Sequence, residues 1–220
     1  MDVFKLGSTP MNKNQVHYLE EKCKQAKVIW HHRYSQADDQ RALDFELTVN
    51  GWCLGMVLHW LGYQAYGRKD FWRLVDSPDG VRKFRQVMAA QQLATRMGLG
   101  VYDKLTSRYN MLLQQYNLQL TAASDLEPTI SGFSILQHAG VYQGSKAILG
   151  LYGPKGGHAI GLNMRSTELR IFDPNYGEFW FPGYKNASKW LDRYLQKMYN
   201  KFHFNQHTIE KFDFFNKNAT

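Results

Sequence analysis

Gly156-Gly157-His158-Ala159-Ile160-Gly161-Leu162, followed by Leu169-Arg170-Ile171-Phe172-Asp173-Pro174-Asn175, reads as a β-hairpin. Side chains alternate across a strand, so His158, Ile160, Leu162 and Met164 share one face, and Leu169, Ile171 and Asp173 share one face of the next strand. With Ser166-Thr167 as a two-residue loop, Leu162 pairs with Ile171 and Ile160 with Asp173. His158 then lies diagonal to Asp173 on the apolar, buried face, within side-chain reach. A slip of one residue would send Asp173 to the opposite face. A buried carboxylate needs a partner, and a histidine oriented by it is one solution. Taken singly, His158 reads as a satisfied core histidine and Asp173 as a turn residue before proline. Together they read as a pair in need of a nucleophile.

Asn50-Gly51-Trp52-Cys53-Leu54-Gly55-Met56 offers that nucleophile, with Cys53 at the mouth of an apolar helix. The partial positive charge of a helix N-terminus and a nearby imidazolium both favour a thiolate. The plainer reading of a lone cysteine, a small buried hydrophobe, suits Cys23, which falls on an amphipathic stripe. For the oxyanion of an acyl-transfer intermediate, the Cys53 N–H is one candidate donor. Asn50 is the candidate side-chain amide, or equally an N-cap or turn residue.

Around these motifs the first half reads helical and the second half as strands. Helical periodicity covers 12–29, 53–61 and a segment from Asp79-Gly80 through Leu93, closed by Gly98 and Gly100, with a further helix over 101–116. Residues 121–128 read as a polar loop between the halves. Ala147–Tyr152 is an apolar run before the turn Gly153-Pro154-Lys155-Gly156-Gly157. Strands follow at 158–165, 169–173 and 178–181, then a helix capped by Asn186 and carrying Trp190, Leu191, Tyr194, Leu195 and Met198, then a strand over 201–212. Helices first and an antiparallel sheet afterwards make an α+β domain.

Composition narrows the function classes. The 220 residues are 44% hydrophobic and 15% aromatic, a globular composition. Two cysteines do not make a disulfide framework, and a reducing compartment is expected. The first residues hold no apolar core of a cleavable signal peptide. No apolar run approaches the roughly 18 residues of a membrane helix. The net charge of +8 suits anionic partners, with an anionic membrane surface as the candidate. The charges are spread thinly, and no nucleic-acid partner is expected. His31-His32 point to different faces, no cysteine–histidine quartet has zinc spacing, and no phosphate-binding glycine motif precedes a helix. Neither metal nor cofactor is expected.

Gly51-Trp52-Cys53, Gly157-His158-Ala159 and Phe172-Asp173-Pro174-Asn175-Tyr176-Gly177-Glu178-Phe179, with their order and spacing, resemble the YopT/AvrPphB type of bacterial effector cysteine protease. The resemblance implies one papain-like domain over residues 1–220, with its core at about 45–215. In it a helical N-terminal half packs on a C-terminal antiparallel sheet. It implies Cys53 as nucleophile, His158 as general base and acid, and Asp173 as the orienting residue. The oxyanion amide passes to Asn50. It further implies a monomeric endopeptidase, secreted without a cleavable signal peptide. Its substrate would be a host protein, cut in the host cytosol or at its membrane face. The same three residues also serve transglutaminases, glutamine deamidases and acyltransferases, and a non-catalytic adaptor docking on an anionic membrane would need none of them.

Overall fold

The computed structural model describes residues 11–39, 41, 52–96, 114–128, 131–140, 145–154 and 156–214. The first helix, α1 (Lys13–Ala26), starts at a capping box in which Asn12 Oδ1 accepts from Gln15 N–H and Gln15 Oε1 accepts from Asn12 N–H. It ends at Lys27 in the left-handed conformation, earlier than the periodicity suggests, and strand β1 (Ile29–His32) follows at once. Next come α2 (Cys53–Ala65), α3 (Phe71–Val75), α4 (Pro78–Arg96), β2 (Leu118–Ala123) and α5 (Gly132–Ala139). The chain continues with β3 (Lys146–Gly153), β4 (Gly156–Met164), β5 (Leu169–Asp173), β6 (Gly177–Phe181), α6 (Ala187–Tyr199), a short 3₁₀ turn at Asn200–Phe202 and β7 (Gln206–Phe214).

Among the described residues the strands form one antiparallel sheet of seven, in the order β1-β6-β5-β4-β3-β7-β2. The hairpin between β4 and β5 has the register read from the sequence. Leu162 pairs with Ile171 and Met164 with Leu169, and the turn is carried by Ser166-Thr167 between Arg165 and Glu168. Because the side-chain period is two, that register fixes which residues share a face. Ile160, Leu162, Leu169 and Ile171 join one core with Leu19 of α1, Ile135 of α5 and Leu191 and Tyr194 of α6. Ala159, Phe172 and Ile148 face the other way, into a second core built by α2, α3 and α4. The sheet is the middle of three layers.

The α+β expectation holds, but the halves interleave. The N-terminal half contributes β1 to one edge of the sheet, and residues 118–123, which partly fall in the expected polar loop, form β2 at the other edge. The expected helix over 101–116 and its glycine stops lie almost entirely outside the described residues. Two close approaches hold α2 in place. A Cβ on Gly161 would lie 2.8 Å from the Trp60 ring, and one on Gly55 would lie 2.9 Å from the Phe84 carbonyl oxygen of α4. Glycine at these positions lets α2 sit directly on β4 and α4. Cys53 to Gln64 of α2 are all buried, more than the single stripe read from the sequence, because the helix is covered on both sides.

Candidate active site

Cys53 is the first residue of α2, with Trp52 at the N-cap, so the thiol sits at the end of the helix where unsatisfied N–H groups collect. His158 is the third residue of β4 and Asp173 the last of β5. The continuing hairpin register brings their side chains together: His158 Nε2–H donates to Asp173 Oδ1 at 2.9 Å. That is within the reach of about 2.6–3.2 Å expected of such a pair. The Cys53 side chain in turn hydrogen-bonds the His158 ring. With Nε2 engaged by Asp173, the ring presents Nδ1 to the thiol.

The carboxylate is fully enclosed, and its acceptor capacity is filled. Besides His158, Oδ1 accepts the Asn175 backbone N–H at 2.8 Å, two residues on, which is an Asx turn. Oδ2 accepts the Tyr194 and Tyr199 hydroxyls, each at 2.6 Å. Both tyrosines come from α6, and Tyr199 also tilts its ring against His158 at a centroid separation of 5.2 Å. Burial alone would lower the His158 pKa. The Asp173 charge and hydrogen bond, joined by those of Cys53, outweigh burial and raise it to about 10. The Asp173 carboxylate therefore favours the protonated form of the ring. Cys23 has the opposite environment. It is buried in the core under α1, and burial pushes its thiol up to about 12.

Asn50 lies outside the described residues. Tyr194, Tyr199, Asn175 and Gln36 are at the site but were not read as part of it. Tyr194 was legible only as a member of an apolar helix stripe, because a stripe does not reveal where a hydroxyl ends. Asn175 had a local signal, since Asp-Pro-Asn is turn chemistry in which the aspartate accepts from the residue two further on. Gln36 had none. Among the described residues no group of three or more His, Cys, Asp or Glu side chains could hold a metal ion. No helix of the described residues is long and apolar enough to cross a membrane.

A thiol at a helix start thus meets an imidazole and a carboxylate from adjacent strands on an α+β fold. The chain belongs to the peptidase C58 family, described as the Yersinia/Haemophilus virulence surface antigen family, which it matches over residues 20–215. The crystal structure of the Pseudomonas avirulence protein AvrPphB is similar at 18% identity, covering 77% of this chain and 95% of that one with a TM-score of 0.59, and it shows the shared fold. The YopT domain of the Pasteurella multocida PfhB2 toxin overlaps 83% of this chain and 92% of its own at 15% identity, with a TM-score of 0.35 too low to bear on the fold. Comparison with curated protein sequences gives no match. The protein is thus a cysteine peptidase of the C58 family.

Proposed function

We propose that this chain is a cysteine endopeptidase that acts as a translocated bacterial effector and cleaves a host protein, with Cys53, His158 and Asp173 as its catalytic triad. The observation that carries the reading is the His158–Asp173 hydrogen bond. It lies within a fully buried cluster whose carboxylate accepts from four donors while the same imidazole engages Cys53.

The chemistry follows from that arrangement. The Cys53 thiolate attacks the scissile carbonyl carbon, and the π electrons move onto the carbonyl oxygen. Donors for that oxyanion are the Cys53 backbone N–H, in the first turn of α2, and the Asn50 side chain. The His158 imidazolium gives its proton to the departing amine as the C–N bond breaks, which leaves an acyl-enzyme thioester and a neutral imidazole. Water then loses a proton to His158 as its oxygen attacks the thioester. Collapse of the second tetrahedral species releases the acid and restores the thiolate–imidazolium pair. Asp173 does not itself change protonation; it holds the ring and stabilises its positive form.

The test is to incubate a host-cell lysate with the wild-type protein and with Cys53→Ala, and to identify new peptide termini by mass spectrometry. New termini that depend on Cys53 support an endopeptidase. A glutamine-to-glutamate mass change or a crosslinked product, without new termini, assigns the site to another acyl transfer. Equal products from both proteins remove the catalytic reading.

A further inference from the structure

Gln36 lies in the turn after β1, 4% exposed, and every polar group of its side chain is committed. Its Oε1 accepts the Trp52 backbone N–H at 2.8 Å, next to Cys53. Its Nε2 donates to Asn175 Oδ1 at 2.8 Å, and its own backbone N–H donates to the Pro174 carbonyl at 2.8 Å. One residue therefore ties the N-cap of α2, next to the thiol, to the turn that follows the carboxylate. The connection runs further. Asn175 Nδ2 donates to the Tyr199 hydroxyl at 3.2 Å, and that hydroxyl donates to Asp173 Oδ2. Cys53 and Asp173 are thus joined by two routes, directly through His158 and indirectly through Gln36, Asn175 and Tyr199.

The second route has a fixed direction. A backbone N–H can only donate, so the Trp52 amide forces the Gln36 oxygen toward it and the Gln36 NH₂ toward Asn175. Asn175 must then present its oxygen to Gln36 and its NH₂ to Tyr199. The Tyr199 hydroxyl, already accepting, is left to donate to the carboxylate. Hydrogen bonds in such a chain polarise one another in the low-dielectric interior. We propose that Gln36 is a positioning residue for this peptidase. It sets the distance between the start of α2 and the His158–Asp173 pair, and it imposes the amide polarity that keeps Tyr199 donating to Asp173. The proposal rests on Cys53 and His158 acting as the nucleophile and its acid–base partner.

Gln36→Glu is the informative variant. It keeps the shape and an acceptor for the Trp52 N–H, but an ionised carboxylate cannot donate to Asn175. It repels the Asn175 oxygen, and the asparagine amide is driven to turn over. Tyr199 then donates to Asn175 in place of Asp173. When the introduced carboxylate takes up a proton its O–H can donate again, and the original polarity returns. The measurement is the rate of Cys53 alkylation by iodoacetamide between pH 5 and 8 on the full chain, each variant divided by wild type at the same pH. Thermal unfolding establishes that each variant is folded.

At pH 7, loss of a bond in a charge-linked network predicts a rate lower by about tenfold in Gln36→Glu. The ratio to wild type should climb toward one as the pH falls toward the carboxylic-acid range. Gln36→Ala and Asn175→Ala should both show a loss that does not depend on pH, and the double variant should be no slower than the worse single one. A pH-independent ratio for Gln36→Glu, or additive losses in the alanine pair, would overturn the positioning role and leave Gln36 as packing. His158→Ala separates the two levels. If it leaves Cys53 alkylation unchanged, the triad reading itself fails; if it slows alkylation while the Gln36 variants match wild type, only the relay fails.

Discussion

Replacing Asp173 with alanine tests the electrostatic reasoning most directly, because stability and its pH dependence can both be worked out beforehand. The carboxylate is buried and accepts from His158, the Asn175 N–H, Tyr194 and Tyr199. Its removal leaves four donors facing a cavity and a buried imidazolium without a counter-charge. Breaking a buried ion pair from one side costs roughly 3–5 kcal/mol. The sign with pH follows from His158. Its folded pKa, about 10, lies above the ordinary value of 6.5, so the wild-type pair stabilises the fold fully below pH 6.5. That contribution declines by about 1.4 kcal/mol per pH unit as the pH rises, and it is gone above about 10. In Asp173→Ala the burial penalty on the charged ring acts unopposed and pushes the His158 pKa down. The stability gap between the two proteins should therefore be largest near pH 6 and narrow toward pH 10. Urea unfolding followed by tryptophan fluorescence at pH 6, 8 and 10 measures it. A gap below about 1 kcal/mol at pH 6, or one that stays constant to pH 10, would refute the assignment of a charged His158–Asp173 pair.

Other outcomes follow from the same structure. Limiting iodoacetamide near neutral pH should modify Cys53 before Cys23, whose thiol is buried and pushed up to about 12; peptide mapping with Cys23 labelled first would contradict this. On a verified substrate His158→Ala should abolish turnover as completely as Cys53→Ala, and Asp173→Ala should lose on the order of 10⁴-fold, since the members of a triad act as a unit. Near wild-type kcat/KM in His158→Ala would rule that out. Gly161→Val should lower stability by about 1–3 kcal/mol, because its Cβ alone would meet the Trp60 ring at 2.8 Å; an unchanged Tm would mean that α2 is free to move off the sheet.

What could be read from the sequence were features whose causes lie close together in the chain. The β4–β5 register follows from period-two alternation and a two-residue turn, both contained in residues 156–173, and it carried the His158–Asp173 pairing with it. The position of Cys53 at a helix start follows from the apolar run that begins with it. Edge strands were harder. Strand β1 has four residues, with exposed and half-buried positions alternating, and no apolar face marks it; its partner β6 lies far along the chain. Strand β2, in the middle of the sequence, pairs with β7 near its end. Alanine and threonine at 121–123 resemble a loop until that partner is known.

The residues around Asp173 show why an active site is only partly legible. Gln36 and Asn175 are 139 residues apart in sequence, and Tyr199 reaches Asp173 across 26, so no local pattern connects them. Each of them has an ordinary local explanation: a turn glutamine, a turn asparagine, a tyrosine in a helix stripe. The reason for their chemistry appears only when the sheet and α6 bring them onto one carboxylate. A buried charge is tolerated where its hydrogen-bonding capacity is met, and meeting it takes donors from several elements at once. The proposed triad needs three side chains in one geometry. Holding that geometry takes a second set of polar groups whose donor directions agree. In this protein the agreement begins at one irreversible donor, the Trp52 N–H beside Cys53, and ends at Tyr199 donating to Asp173. A substitution of Gln36 or Asn175 should therefore be felt at Cys53.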